Sequence, residues 1–338
     1  MTSQNNVTIH DIAKELQINS STVSRALNNS SRVTQKTKNR ILEKANDMGY
    51  QRNLLASNLR KNKTNTIGVI VPRISRYFFS SAIAGIEEAA YEMGYRVIIC
   101  QSLEQLEREK NLIETLVANR VDGIILSISM ETVNSEHLKK AKAKDTAVVF
   151  FDRHCDDKAY SNVLNDDFQG GFDATEHLIS QGRRNIVHFA GPQTLKIYQN
   201  RQAGYRKSLE KNGIAFRPEL VFNSKLMEQD GIDCGKKLLK LPFEIDGIFS
   251  ANDVAAITAM QYLKKQNIKF PKNISIVGFS NEPSSAVIEP ALTTMDQSGR
   301  EMGQKAASLL LHEIKNKSLE IKPETVILKP SLIKRNSS

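Results

Sequence analysis

The sequence predicts a small all-α head followed by a two-lobed α/β core, built from parallel sheets with helices on both faces. Three observations predict it. Apolar residues recur at helical spacing through the first fifty positions. From Thr66 onward, short apolar runs alternate with amphipathic stretches, the pattern of strands and covering helices in a parallel sheet. The second half then repeats the first: Asn185–Gly191 echoes the run at Ile67 at an offset near 118, and Glu244–Phe249 echoes Arg120–Ile125 at an offset of 124.

In the head, Ile9, Ile12, Ala13 and Leu16 form one stripe of a first helix, opened by Thr8 and Asp11 as a capping box. Gln17-Ile-Asn19 makes a three-residue turn, with Asn19 placed to cap a second helix that buries only Val23, Ala26 and Leu27. The opposite side of that helix carries Ser20, Ser21, Thr22, Ser24 and Arg25, short hydrogen-bonding groups and one guanidinium. That spacing is a helix-turn-helix, and that residue set suits base edges in a DNA major groove. A third helix is expected from about Thr34 to Met48, with Ile41, Ala45 and Met48 inward and Gly49 as its stop. Residues 51–65 turn polar and basic, a linker with too little apolar surface to hold a helix alone.

In the core, strands are expected at Ile67–Val71, Arg96–Cys100, Val121–Leu126 and Ala147–Phe151, and again at Asn185–Gly191 and Glu244–Phe249. Helices are expected at Ser81–Met93, Glu107–Asn119, Ser135–Lys142 and Val254–Lys265. A cleft between two such lobes is the default ligand site, because ligands lie beyond the carboxyl ends of parallel strands.

Charge separates the two parts. Residues 1–63 hold eleven Lys and Arg against four Asp and Glu, so this fifth of the chain carries +7 of the total +10. A basic head on a near-neutral body meets a polyanion. With 40% apolar residues, the 338-residue chain can build sizeable cores. Cys100, Cys155 and Cys234 are an odd, scattered set that fits free thiols in a reducing cytoplasm. Neither a leader peptide nor a membrane-spanning run is expected. Catalysis finds no support: G-x-S-x-G, the P-loop and G-x-G-x-x-G are all missing, and the six histidines are dispersed. Neither metal nor cofactor is expected. Two rivals follow from the fold. A transport solute-binding protein would need an export signal and no basic head, and an α/β enzyme with a DNA module would need a nucleophile, metal or cofactor motif.

Taken together, these stretches resemble the LacI/GalR family, the lactose-repressor type of bacterial transcription regulator. The resemblance runs through Thr8-Ile-His-Asp-Ile-Ala13, Ser21-Thr-Val-Ser-Arg-Ala-Leu-Asn28, Met48-Gly-Tyr50, Phe150-Phe-Asp-Arg153, Arg201-Gln-Ala-Gly-Tyr205, Ala251-Asn-Asp253, Ile276-Val-Gly-Phe279 and Pro290-Ala-Leu-Thr-Thr294. It implies a helix-turn-helix head (1–50), a hinge linker (51–65) and a periplasmic-binding-protein-like core (66–338). Within that core, lobe 1 is expected at about 66–160 plus 293–321, and lobe 2 at about 161–292 plus 322–338. It implies a homodimeric regulator, expected to repress, that binds palindromic double-stranded operator DNA under control of a small-molecule effector, a sugar or sugar derivative. With no leucine-heptad tail after Lys334, a dimer is expected rather than a tetramer.

By the same resemblance, Ser20, Ser21 and Arg25 contact bases. Thr8, Thr22, Ser24 and Asn28 are expected to complete the DNA face, and Lys38 is a candidate phosphate contact. Leu59 matches the hinge leucine that wedges into the minor groove, with Ala56 packed beside it. Arg52 stands where the family usually has proline. In the cleft, Phe78 and Phe79 match positions that stack on the effector, or else cap a core. Asp152 and Arg153 match a strand-end pair that either meets ligand or pairs internally. Arg201, Asn252 and Asp253 match positions that bind sugar hydroxyls; Arg201 is also suited to an interlobe salt bridge and Asp253 to capping a helix. Ser280 stands where most relatives have aspartate, so one expected carboxylate is missing.

Overall fold

The computed structural model describes residues 7–50, 63–317, 319 and 322–338. It divides into two compact units, Met1–Thr64 and Asn65–Ser338. Residues 51–62, and with them Ala56 and Leu59, lie outside the described residues.

The head holds α1 (Ile9–Leu16), α2 (Ser20–Leu27) and α3 (Gln35–Asp47). Its expected capping box is present: the Asp11 amide donates to Thr8 Oγ1 at 3.4 Å, and Asp11 Oδ2 accepts from the Thr8 amide at 2.8 Å. Asn19 stands at the N-cap of α2, but its side chain makes no capping bond. Thr34 caps α3 by accepting from the Thr37 amide. Ile12, Ala13, Leu16, Val23, Ala26, Val33, Ile41 and Ala45 form the core, with Leu27 and Met48 half-buried against it.

The larger unit holds two six-stranded sheets. The first contains β1 (Thr66–Val71), β2 (Arg96–Gln101), β3 (Gly123–Leu126), β4 (Ala147–Phe151), β5 (Ser161–Asn165) and, late in the chain, β11 (Thr325–Leu328), in the order β11-β5-β4-β3-β1-β2 and all parallel. The second contains β6 (Ile186–Ala190), β7 (Val221–Asn223), β8 (Gly247–Ser250), β9 (Ser275–Phe279), β10 (Thr293–Asp296) and β12 (Ser331–Ile333), in the order β12-β10-β9-β8-β6-β7. Only the β10–β12 pair is antiparallel. Helices α4 (Tyr77–Glu92), α5 (Leu106–Ala118) and α6 (Lys139–Ala143) belong to the first lobe. The second holds α7 (Asp167–Ser180), α8 (Lys196–Lys211), α9 (Glu228–Leu238), α10 (Asp253–Lys265) and α11 (Pro283–Val287). Finally α12 (Gly299–Lys315) returns to pack on α4.

Glycines set the closest helix crossing in each lobe. A Cβ on Gly303 would sit 1.9 Å from the Ala82 carbonyl oxygen, and one on Gly204 would sit 2.1 Å from that of Phe168. The α4–α12 and α7–α8 pairs therefore approach to backbone contact, which no larger residue permits.

The lobe boundaries differ from expectation at every crossing. The strand at 161–165 pairs with β4 in the first sheet, the strand at 293–296 pairs with β9 in the second, and 325–328 returns to the first. β5 reads Ser-Asn-Val-Leu-Asn, and its buried Asn162 and Asn165 break the apolar run that would have marked it as a continuation of lobe 1. The chain therefore crosses between lobes in three short links, between Asn165 and Asp167, Asp296 and Gly299, and Leu328 and Ser331. Among the described residues, no helix is long and apolar enough to cross a membrane.

Candidate functional site

Two surfaces carry the expected residues, one on each unit. On the head, α2 turns Val23 and Ala26 inward and leaves Ser21, Arg25 and Asn28 exposed, with Ser20, Thr22 and Ser24 half-buried. Lys14, Arg32, Lys36 and Arg40 are exposed on the same small unit. Thr8 is exposed, but its hydroxyl donates to Asp11 Oδ2 at 2.7 Å, so its side chain is committed to the cap. Asn28 Nδ2 donates to the Ser24 carbonyl at 2.7 Å and closes the helix end. Lys38 corrects the reading given above. It is buried, and its ammonium donates to Asn29 Oδ1 at 2.8 Å across a turn where Asn29 takes φ 54°. Its place on the inner side of α3 makes it a turn clamp instead of a phosphate contact.

On the larger unit, a cleft opens at the carboxyl ends of the strands of both sheets. Seven of the eight expected effector residues line it: Phe78, Phe79, Asp152, Arg153, Arg201, Asn252 and Ser280. Asp253 does not. It is fully buried, with its carboxylate accepting from Thr294 Oγ1 at 2.6 Å, Ser285 Oγ at 2.8 Å and the Glu282 amide at 2.8 Å. It pins the loop after β9 to strand β10. Nor does it cap α10, because the Asn252 side chain accepts from the Ala255 amide at 2.9 Å and takes that position.

α4 begins at Tyr77, a turn earlier than expected, so Phe78 and Phe79 sit on a helix. Both belong to the first-lobe core, edge to face at 5.3 Å, and Phe79 packs in the same way on Phe151 at 6.1 Å. They are core residues that also form cleft wall. Arg153 pairs chiefly with Glu104, whose Oε2 lies 2.9 Å from Nη1, while Asp152 is 3.8 Å from its Nε. Asp152 is buried with φ 60°, and burial pushes its carboxyl up to about 7 against the pull of Arg153.

Arg201 is the best-connected side chain in the cleft. Only 2% exposed, it donates from Nε to Asp167 Oδ1 at 2.8 Å, from Nη1 to the Ala251 carbonyl at 2.8 Å and from Nη2 to Gln297 Oε1 at 3.3 Å. Its guanidinium lies 3.7 Å over the Phe279 ring. Asp167 follows the first interlobe link and Gln297 lies in the second, so one guanidinium ties two of the three crossings. Gln297 Nε2 also donates to Ser280 Oγ at 2.7 Å.

Sequence reasoning missed Arg73, Arg76, Glu104, Met130, Tyr198, Lys225, Glu282 and Gln297, all of which line the cleft. A usable signal existed for several. Arg73, Glu104, Met130, Lys225 and Gln297 fall one to four residues past the ends of β1, β2, β3, β7 and β10, where the strand-end rule places ligand contacts. Glu282, three residues past β9, follows the same rule, whereas Arg76 and Tyr198 stand at or within helices whose position only the fold supplies.

Comparisons with known proteins agree with this organisation. The family described as bacterial regulatory proteins, lacI family, matches residues 8–53. The family of periplasmic binding proteins and sugar binding domain of LacI family matches residues 64–335. The HTH-type transcriptional repressor PurR of Pasteurella multocida is 31% identical over 327 residues, covering 95% of this chain and 98% of its own. The HTH-type transcriptional regulator RegA of Clostridium saccharobutylicum is 30% identical over 332 residues, 98% of each. The solved lac repressor dimer bound to operator and the anti-inducer ONPF superimposes with a TM-score of 0.86 at 25% identity, covering 98% of this chain and 99% of that one. A LacI family regulator from Enterococcus faecium with bound ribose gives 0.72 at 28% identity, over 81% of this chain and 98% of that one.

Proposed function

The chain belongs to the lacI family of bacterial regulatory proteins, and on that premise we propose that it is a homodimeric, cytoplasmic repressor. It reads a palindromic operator and is controlled by a sugar or sugar derivative held between the lobes of its core. Regulation of transcription through DNA is the common character of its relatives, and enzymatic activity is not. The observation that carries the DNA half is α2, which exposes Ser21 and Arg25 on a unit of net charge +7. An arginine free on that face is suited to the O6/N7 edge of a guanine.

The control half rests on the Arg201 network. A ligand that engages Arg201 acts on the group joining Asp167 and Gln297, and so bears directly on the links about which the lobes turn. The family description of a sugar binding domain and the ribose bound in the Enterococcus faecium regulator favour a carbohydrate. On this reading Ala56 and Leu59 serve the linker that follows the head.

Selection from a random duplex pool with the full-length protein tests the reading. A palindrome is expected, bound one dimer per site, with affinity altered by a small molecule that also raises the melting midpoint of the core. Binding without sequence preference, or a selected site with no two-fold symmetry, overturns it.

A further inference from the structure

The charges around the cleft do not balance. Five cations line it, Arg73, Arg76, Arg153, Arg201 and Lys225, against the three carboxylates of Glu104, Asp152 and Glu282. Three of the cations have partners. Arg153 pairs with Glu104 at 2.9 Å and Arg201 with Asp167 at 2.7 Å. Arg76 donates to Met227 Sδ at 3.0 Å and lies near enough to Glu282 to offset part of the burial that raises that carboxyl. The third cleft acid, Asp152, is held partly protonated at neutral pH by its burial.

That leaves Arg73 and Lys225. Neither side chain makes a hydrogen bond or ion pair with any described residue. Arg73 follows β1 in the first lobe and Lys225 follows β7 in the second, so the two stand on different lobes of one cleft. Arg153, only 8% exposed, has an Nε with no hydrogen-bond partner, with the carboxylate of Asp152 3.8 Å away. Position 280, where a carboxylate is expected, is a serine whose hydroxyl already accepts from Gln297. Two uncompensated cations brought towards each other oppose closure of the lobes. An anion between them turns that repulsion into two charge-assisted contacts.

We propose that the effector carries an anionic group, a phosphate monoester or a carboxylate, bound between Arg73 of the first lobe and Lys225 of the second. The anion is then the part of the ligand that draws the lobes together, while the aromatic and acidic walls hold the rest. This deepens the cleft reading given above and rests on it.

The test uses the full-length protein carrying Met130→Trp, which places the chain's single tryptophan in the cleft wall, since the native sequence has none. Inorganic phosphate, with chloride at equal ionic strength as control, is titrated against tryptophan fluorescence and the core melting midpoint. The same is done with ribose, ribose 5-phosphate, glucose, glucose 6-phosphate and glucuronate, which separates phosphate from carboxylate. Expected are a saturable phosphate response that chloride does not give, and tighter binding of anionic sugars than of neutral ones. Both should be about tenfold or more weaker in R73Q/K225Q, whose replaced side chains hold nothing else in place. A phosphate response equal to chloride's, or one unchanged in R73Q/K225Q, overturns the proposal. A neutral sugar that moves the fluorescence as effectively as its phosphate overturns the anion and leaves the cleft standing. Ligands that shift melting with no fluorescence change overturn both.

Discussion

Replacing Arg201 with methionine keeps an unbranched apolar stem and removes the guanidinium, which puts the cleft network to a quantitative trial. Asp167, 3% exposed, would keep a buried carboxylate with no cation beside it. Breaking one side of a buried pair costs about 3–5 kcal/mol, and the Ala251 carbonyl, deprived of its donor, adds about 1 kcal/mol. Together these should lower the melting midpoint of the core by roughly 10–20 °C. The assay is a double-mutant cycle: wild type, R201M, D167N and R201M/D167N, unfolded by heat and by urea. In the D167N background the charge is gone and the methionine should cost about 1–2 kcal/mol, chiefly the carbonyl and the contact over Phe279. The sign with pH is fixed. Burial already raises the Asp167 carboxyl from its ordinary 3.8, and Arg201 opposes that rise. Without Arg201 the native carboxyl climbs further while the unfolded one does not. The R201M deficit must therefore widen as pH rises through the wild-type native value of Asp167, which lies above 3.8, and be smallest below it, where both native carboxyls are protonated. A coupling energy under about 1 kcal/mol, or a deficit indifferent to pH, would refute the reasoning.

Other expectations are equally direct. Arg25→Ala should cost about 1–3 kcal/mol on the selected operator and little on random duplex, read by competition anisotropy. Lys38→Met should lower the stability of the head by about 1–2 kcal/mol through loss of the Asn29 clamp, and leave the salt dependence of DNA binding unchanged, since no phosphate contact is lost. For Asp152, the native carboxyl holds its proton to about 7 while the unfolded one ionises near 3.8, so its contribution to stability falls as pH rises between those values. Asp152→Asn should remove that fall and gain about 4 kcal/mol on wild type between pH 4 and pH 8 in urea melts. A D152N profile parallel to wild type would contradict it.

The head was legible almost residue by residue, because its helices are amphipathic and its caps lie within three residues of the groups they satisfy. Thr8 with Asp11 and Thr34 with Thr37 are local chemistry, and local chemistry is written in the sequence. Lys38 was misjudged because its partner Asn29 lies nine residues away on the other side of a turn, which no periodicity reveals. In the core, apolar runs located six of the twelve described strands, and β5 and β10 carry polar residues that are buried through long-range bonds, so their sheet could not be assigned. Asp253 shows the same limit. Its partners Ser285 and Thr294 lie 32 and 41 residues ahead, and only the fold reveals that they consume its carboxylate. Cleft residues that follow strand ends were recoverable in principle, whereas Arg76 on the helix side was not.

The three links between lobes also fix when this protein can be finished during its synthesis. Neither lobe is a continuous stretch of chain: the first sheet receives its β5-side edge only at Thr325–Leu328, and the second receives the edge beside β10 only at Ser331–Ile333. Residues beyond that edge matter too, since Ser337 Oγ accepts from the Thr293 amide and donates to the Ile276 carbonyl. A nascent chain that has emerged as far as Asp296 holds five strands of each sheet, yet has neither α12 to cover α4 nor either closing edge. Its apolar first-lobe face and two open sheet edges stay available to other chains until Ile333 has emerged. The small helical head carries no such debt, so the part that reads DNA can fold long before the part that governs it.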